Sequence, residues 1–349
     1  MSQIRMEQDP LQLRDTENRI PQAVQGSDIG RGIMTAFITD FDTYDEFREQ
    51  WSNVIDIKWE SHKLIFGSMG TNPVYIVYDG TISRLIVLGT TNEMEQVVTE
   101  LTKADHRFGA INLSPKGIEE VLSGVADEYD HFRASQFTGQ TLPGVSNGTR
   151  RDGFDRSVSY YGKDAWPTYE EMAEDYGISL KSIQVLADDS GRATIRENGY
   201  IMWSDSTGLT VCWQIVDHIE SLVTPVIDGI RTGGPEKSES SIMDVTFDIV
   251  VPYRISFKEQ FTSGEMEKLE HLVEDGEGEL SLSEFRFDNE WFDGEIIDTC
   301  RYSRTAIRTK GANTVRVYPR EELGIATQIR IYNVLRTVFG EVDSIGKVE

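Results

Sequence analysis

Cysteine is almost missing from this chain: Cys212 and Cys300 are its two, and neither stands in a CxxC or CxxH spacing. Two isolated thiols exclude a disulfide framework and a cysteine-ligated zinc site, and they point to a reducing, cytoplasmic setting. Long apolar runs are missing too. No window approaches the ~18 consecutive apolar residues of a membrane-spanning helix, and the first 20 residues lack the apolar segment of a signal peptide. A membrane is therefore not an expected partner. Histidine is sparse, and His62, His106, His131, His218 and His271 form no HxH or HxxxH pair. Cys212 and His218 stand six apart, which does not place both on one helix face. No Walker-type loop and no GxGxxG occurs, and triad hydrolysis likewise finds no support. Neither a cofactor nor a metal is expected, and no set of catalytic residues stands out.

What is abundant is acid. Asp and Glu number 59 against 34 Lys and Arg, a net charge of −25, and the basic residues are 23 Arg to 11 Lys. Acids spread over the whole chain with arginine preferred to lysine resemble the cytoplasmic proteins of salt-in halophiles. In molar salt the Debye length falls to about 3 Å, so the mean field no longer repels a polyanion and only close contacts count. Hydrophobic residues at 38% and aromatics at 10% exclude a disordered acidic chain. A length of 349 residues suits two or three domains with real cores.

Composition shifts divide the chain. Residues 1–30 read as a polar tail. Residues 138–156 and 229–241, rich in Gly, Ser and charge, read as linkers between units at 31–137, 157–228 and 242–349. Each unit repeats strand, helix, antiparallel strands, helix. In the first, Gly32–Phe41 is a strand, Thr43 caps a helix to Trp51, and strands KLIFGS, PVYIVYD and ISRLIVLG follow. A second helix begins near Thr91, where Met94, Val97, Val98 and Leu101 recur at helical spacing. In the second, a helix at Thr168–Tyr176 ends at Gly177, strands SLKSIQVLA, RATIRE and YIMWSD follow, and Cys212–Ile230 is helical. The third has strand DIVVPYRISF, helix GEMEKLEHLVED, strands to TVRVYP, and a helix over Glu321–Phe339. The fold class is α+β, with antiparallel sheets each covered on one face by helices.

The run Leu64-Ile65-Phe66, a hairpin about a glycine, an apolar strand ending at Gly89 and an amphipathic helix together resemble the TATA-binding-protein-like fold. The resemblance covers about 70 residues of the first unit and extends to the others by element order alone. It implies a curved sheet whose concave face enters the minor groove with apolar wedges, and Phe66 is the one residue it carries over.

The most informative local feature is a reversal of charge. Residues 301–336 hold Arg301, Arg304, Arg308, Lys310, Arg316, Arg320, Arg330 and Arg336 against Glu321 and Glu322, a local balance of +6. Strand alternation puts Tyr302, Arg304, Arg308 and Lys310 on one side of one strand. Across a turn at Lys310–Asn313 it puts Arg316, Tyr318 and Arg320 on one side of the next. If the register matches those sides, the result is an Arg/Tyr surface suited to phosphate and base stacking. Three readings compete. The first is a non-catalytic nucleic-acid-associated or regulatory protein contacting nucleic acid or another polyanion. The second is an oligomeric scaffold whose arginines pair with acids of its own chain or of another subunit. The third is an enzyme whose residues assemble across units. Two lesser motifs have bland counterparts. Thr168–Leu186 reads as a helix-turn-helix or as a helix and a strand. Residues 274–279 read as a solvated acidic turn, lacking the ligand alternation of a calcium loop. Trp203 and Trp213 are expected beneath the second sheet.

Overall fold

A computed structural model describes residues 32–61, 63–141, 157–187, 191–203, 208–233, 237–242, 245–250, 252–262, 264–265, 268–269, 280–288, 291–299, 303–319 and 323–348. They fall into two compact units that divide at Leu222 and Val223. The first unit opens with β1 (Gly32–Thr39), α1 (Tyr44–Ser52), β2 (Asp56–Ser61), β3 (Leu64–Met69), β4 (Asn72–Val77) and β5 (Ile82–Val87). It continues through α2 (Thr91–Ala104), β6 (Phe108–Ala110), α3 (Pro115–Ala126), β7 (Phe132–Thr141) and β8 (Ser157–Tyr161). Next come α4 (Ala165–Tyr176), β9 (Ile178–Ala187), β10 (Gly191–Arg196), β11 (Tyr200–Trp203) and α5 (Gly208–Gly233), which runs on into the second unit.

Residues 31–137 and 157–228, expected as separate units, share a single eleven-stranded antiparallel sheet. Its order is β2-β3-β4-β5-β1-β11-β10-β9-β7-β8, with β6 also on β1. The join is β1, which pairs β5 with Ile33 opposite Val87 and pairs β11 with Met34 opposite Ile201. All eight positions of β1 and all six of β5 are buried. An apolar run without alternation has no side to give to water, so it belongs at a sheet centre under cover from both faces.

Both covers are present. On one face α1 and α2 lay Phe47, Trp51, Met94, Val97, Val98 and Leu101 over Ile33, Phe37, Leu85 and Val87. The Thr43 hydroxyl accepts from the Glu46 N–H at the start of α1, and Thr90 and Glu93 form a reciprocal capping box on α2. On the other face Arg84 of β5 pairs with Asp217 and Glu220 of α5, its guanidinium 5.0 Å from the Trp213 ring centroid. The expectation of helices on one face therefore fails at the centre of this sheet. The reason is in the residues: Met34, Ala36, Ile82 and Ile86 are as apolar as their neighbours and need a second cover.

Gly177 takes φ +62° at the end of α4, and the chain continues as strand β9. The helix-turn-helix reading of 168–186 is thereby corrected, because the alternation of Ile183 and Val185 places both in the core. Both expected linkers shrink. Residues 138–141 complete β7, 229–233 complete α5, and 237–242 form β12. Gly229 and Gly233 serve packing: a Cβ on Gly233 would lie 2.7 Å from the Gly346 Cα. Pro225 lies inside α5, where it removes one ladder N–H.

The second unit holds β12 (Lys237–Ile242), β13 (Val245–Val250), β14 (Tyr253–Phe257), β15 (Leu280–Asp288) and β16 (Trp291–Asp298). It closes with β17 (Ser303–Thr309), β18 (Thr314–Pro319), α6 (Ile325–Phe339) and β19 (Val342–Lys347). Its main sheet is antiparallel in the order β15-β16-β17-β18-β14-β19, beside the separate β12–β13 hairpin. Ile331, Leu335, Val338 and Phe339 of α6 pack on Tyr253, Ile255, Phe292, Ile307, Val315 and Val317. The alternate positions of β14, β17 and β18 turn to the other face, where Arg254, Arg304 and Arg308 are exposed and Arg316 and Tyr318 half-buried. Strict alternation fits a sheet covered once.

Candidate anion-binding face

The outer face of the second sheet carries a lateral row of arginines. Arg254 of β14 stands opposite Arg316 of β18, Arg316 opposite Arg308 of β17, Arg308 opposite Asp293 of β16, and Asp293 opposite Arg286 of β15. Directly opposed residues share a face with Cα atoms about 4.5–5.5 Å apart, so four guanidinium stems and one carboxylate cross five strands in line. At the far end Arg254 stands opposite Gly346 of β19, and a Cβ there would lie 3.5 Å from its Nε.

The charges of this row are unevenly answered. Arg308 Nε meets Asp293 Oδ1 at 2.9 Å, with both side chains about half exposed (56% and 43%). Its guanidinium also lies 5.6 Å from the Tyr318 ring centroid. Arg304, four residues before Arg308 on β17, has Nη1 3.5 Å from Oε2 of buried Glu295. Among the described residues no carboxylate lies within 4 Å of the guanidinium groups of Arg254, Arg286 or Arg316. Like charges directly opposite one another on a sheet are destabilising. A phosphate laid across the row would relieve that repulsion with planar, multi-donor partners.

The structure brings some of the residues singled out in the sequence onto one face. The β17–β18 register places Arg308 against Arg316 and Ala306 against Tyr318, so Arg304, Arg308, Arg316 and Tyr318 share one face as anticipated. Lys310 is exposed in the turn after β17, where its N–H donates to the Thr314 carbonyl at 2.7 Å. Arg301, Tyr302 and Arg320 lie outside the described residues. Arg330 does not belong to the face. It is buried on α6 with Nη2 3.3 Å from Asp298 Oδ2, and burial lowers its pKa to about 10. Arg336 sits in the last turn of α6, where a cation suits the helix dipole. Arg254 and Arg286, which complete the row, are distant in sequence, and only their positions of matching parity on alternating strands hinted at them.

Phe66 is half-buried on β3 between Trp59 and Tyr75, and its ring stacks on Tyr75 at 4.6 Å. Burial raises the Tyr75 hydroxyl above its ordinary pKa. Trp203 and Trp213 are both buried. Cys212 is buried, and His218 Nε2 lies 2.7 Å from Glu128 Oε1. Among the described residues no group of three or more His, Cys, Asp or Glu is placed to hold a metal, and no helix is long and apolar enough to cross a membrane. The acidic turn at 274–279 lies outside the described residues. So does Gly144-Val145-Ser146-Asn147-Gly148, which has the GxSxG spacing by residue type.

Residues 116–191, from α3 to the start of β10, match a family model described as a family's middle domain. The described residues of that stretch lie in the first unit, and it does not include the arginine row. The chain is also similar to an uncharacterized protein of Archaeoglobus fulgidus. The two are 22% identical over 261 residues, covering 71% of this chain and 70% of that one.

Proposed function

We propose that this protein is a non-catalytic, cytoplasmic nucleic-acid-associated protein that contacts phosphates through the outer face of its six-stranded sheet. The observation that carries the reading is the unbroken register Arg254, Arg316, Arg308 across three adjacent strands, with Asp293 as the one carboxylate in the row. In water two such charges about 4 Å apart repel by about 1 kcal/mol, a standing cost that a polyanion converts into attraction. The net charge of −25 weighs against an approaching phosphate at low salt. At the ionic strength of a salt-accumulating cytoplasm, which the Arg-over-Lys composition favours, that distant field is screened and the contacts remain.

The test is fluorescence anisotropy with labelled 20-nucleotide DNA and RNA, single-stranded and duplex, over a series of KCl concentrations. The wild type is expected to bind with log K falling linearly in log salt. The Arg254→Glu/Arg316→Glu double variant, with unfolding midpoint retained, is expected to lose at least about tenfold in affinity and to show a shallower slope. Absence of binding by the wild type to all four probes, or equal affinity of the double variant, overturns the reading. A change of mass by light scattering in the double variant, without nucleic-acid binding by either protein, overturns it in favour of subunit pairing.

A further inference from the structure

We infer that the ligand of this face is a single strand of nucleic acid, held with bases against Trp291 and Tyr318 and phosphates on the arginine row, an inference that rests on the reading just proposed. The independent observation is Trp291. Trp51, Trp203 and Trp213 are buried, while Trp291 leaves 46% of its surface to solvent. It has the parity of Asp293 on β16, so it belongs to the outer face with the arginines. An indole held half in water on a positively charged face forgoes burial, and no ring among the described residues stacks on it.

The two rings bracket the charges. Trp291 lies two residues beyond Asp293 on one side of the row, and Tyr318 two residues beyond Arg316 on the other. They are two strands apart, about 10 Å, and about four residues apart along the strand direction, about 13 Å. A diagonal path between them of roughly 17 Å passes over Arg308, whose guanidinium already faces the Tyr318 ring. A duplex hides its base faces in its own stack and gains nothing from an exposed indole. Splayed bases stack on aromatic and guanidinium planes with little regard to sequence. An open antiparallel sheet face with two rings flanking a cationic row fits the single strand.

Trp291→Ala, Trp291→Phe and the arginine double variant are to be compared on three probes: oligo-dT and oligo-U of 12 nucleotides, a duplex of equal length, and heparin. The wild type is expected to bind the single strands about tenfold or more tightly than the duplex. Trp291→Ala is expected to lose about tenfold on the single strands and to leave heparin affinity unchanged, and Trp291→Phe to retain most of the wild-type affinity. A wild type that prefers the duplex overturns the inference, as does a Trp291→Ala protein with wild-type single-strand affinity. If the arginine double variant still loses binding in that last case, the phosphate reading stands and stacking alone falls. If neither variant changes anything, both fall. Because Trp291 is half exposed, its variants are expected to keep the wild-type melting midpoint, and a lowered midpoint with parallel loss on heparin also counts against stacking.

Discussion

Two lateral rows, built by the same antiparallel pairing, cross the two sheets with opposite chemistry. In the eleven-stranded sheet Tyr75, Ile86, Met34, Ile201, Ile195 and Ile183 stand opposite one another in turn, and all are buried. In the six-stranded sheet the corresponding line is Arg286, Asp293, Arg308, Arg316 and Arg254. Cover makes the difference. Helices lie on both faces of β1 and β5, so every position there must be apolar or paired, as Arg84 is with Asp217. On the second sheet α6 covers one face, and the other is free to carry charge. The contrast extends to how charge is answered. Arg107 in the first unit is held by Asp105 and Glu46, with Asp105 Oδ2 at 2.7 Å, whereas Arg254, Arg286 and Arg316 meet no carboxylate among the described residues.

The sharpest way to break this comparison is to cut each row once. Met34→Ala is expected to cost about 2–5 kcal/mol, since it opens a cavity between two covered faces. Arg316→Ala is expected to stay within about 0.5 kcal/mol or to stabilise by relieving repulsion. Urea unfolding followed by circular dichroism measures both, and equal losses would mean that the arginine row is structural.

A smaller effect separates the units in acid. Burial acts to raise the Asp105 carboxyl, but hydrogen bonds and charge from Arg107 outweigh it and hold the group below its ordinary value of 3.8. A depressed carboxylate stabilises fully above that ordinary value, and the contribution disappears as pH falls through the folded-state pKa. The melting temperature of Asp105→Asn should therefore fall less than that of the wild type between about pH 5 and about pH 2. Parallel curves would show that Arg107 does not hold the charge.

The smallest effect is expected at Asp293. Its half-exposed pair with Arg308 is worth about 0–1 kcal/mol, so Asp293→Asn should barely move stability. The same change removes the one anion of the row and should raise oligo-dT affinity two- to threefold. Weaker binding would mean that Asp293 aims the Arg308 guanidinium rather than competing with the ligand.

Much local structure was legible because its causes are local. The caps at Thr43 and Thr90, the Met94–Leu101 periodicity, the turns at Gly80 (φ +85°) and Gly311 (φ +80°) and the αL end at Gly177 each depend on a few neighbouring residues. Helix α3 carries the same kind of local signal. Ser114 accepts from the Gly117 N–H, Pro115 opens the helix, and Ile118, Val121, Leu122 and Val125 fill one side. Glycine misled at 229–241, since Gly229 and Gly233 mark close approach to β19 rather than a loop. Four residues of the candidate face, Arg304, Arg308, Arg316 and Tyr318, followed from alternation within one hairpin, and Arg254, Arg286 and Trp291 did not.

By itself the sequence determined the α+β class, the scarcity of thiols, the acidic field and the parity of each strand, because composition and a two-residue period need no partner to be read. Tertiary structure decided which strands became neighbours. That choice merged two expected units into one sheet through β1, sent Arg330 to the core beside Asp298, and brought Arg254 and Arg286 into line with Arg308 and Arg316. Pairing order is a property of the whole chain, set by which faces find cover, and no local window of residues contains it.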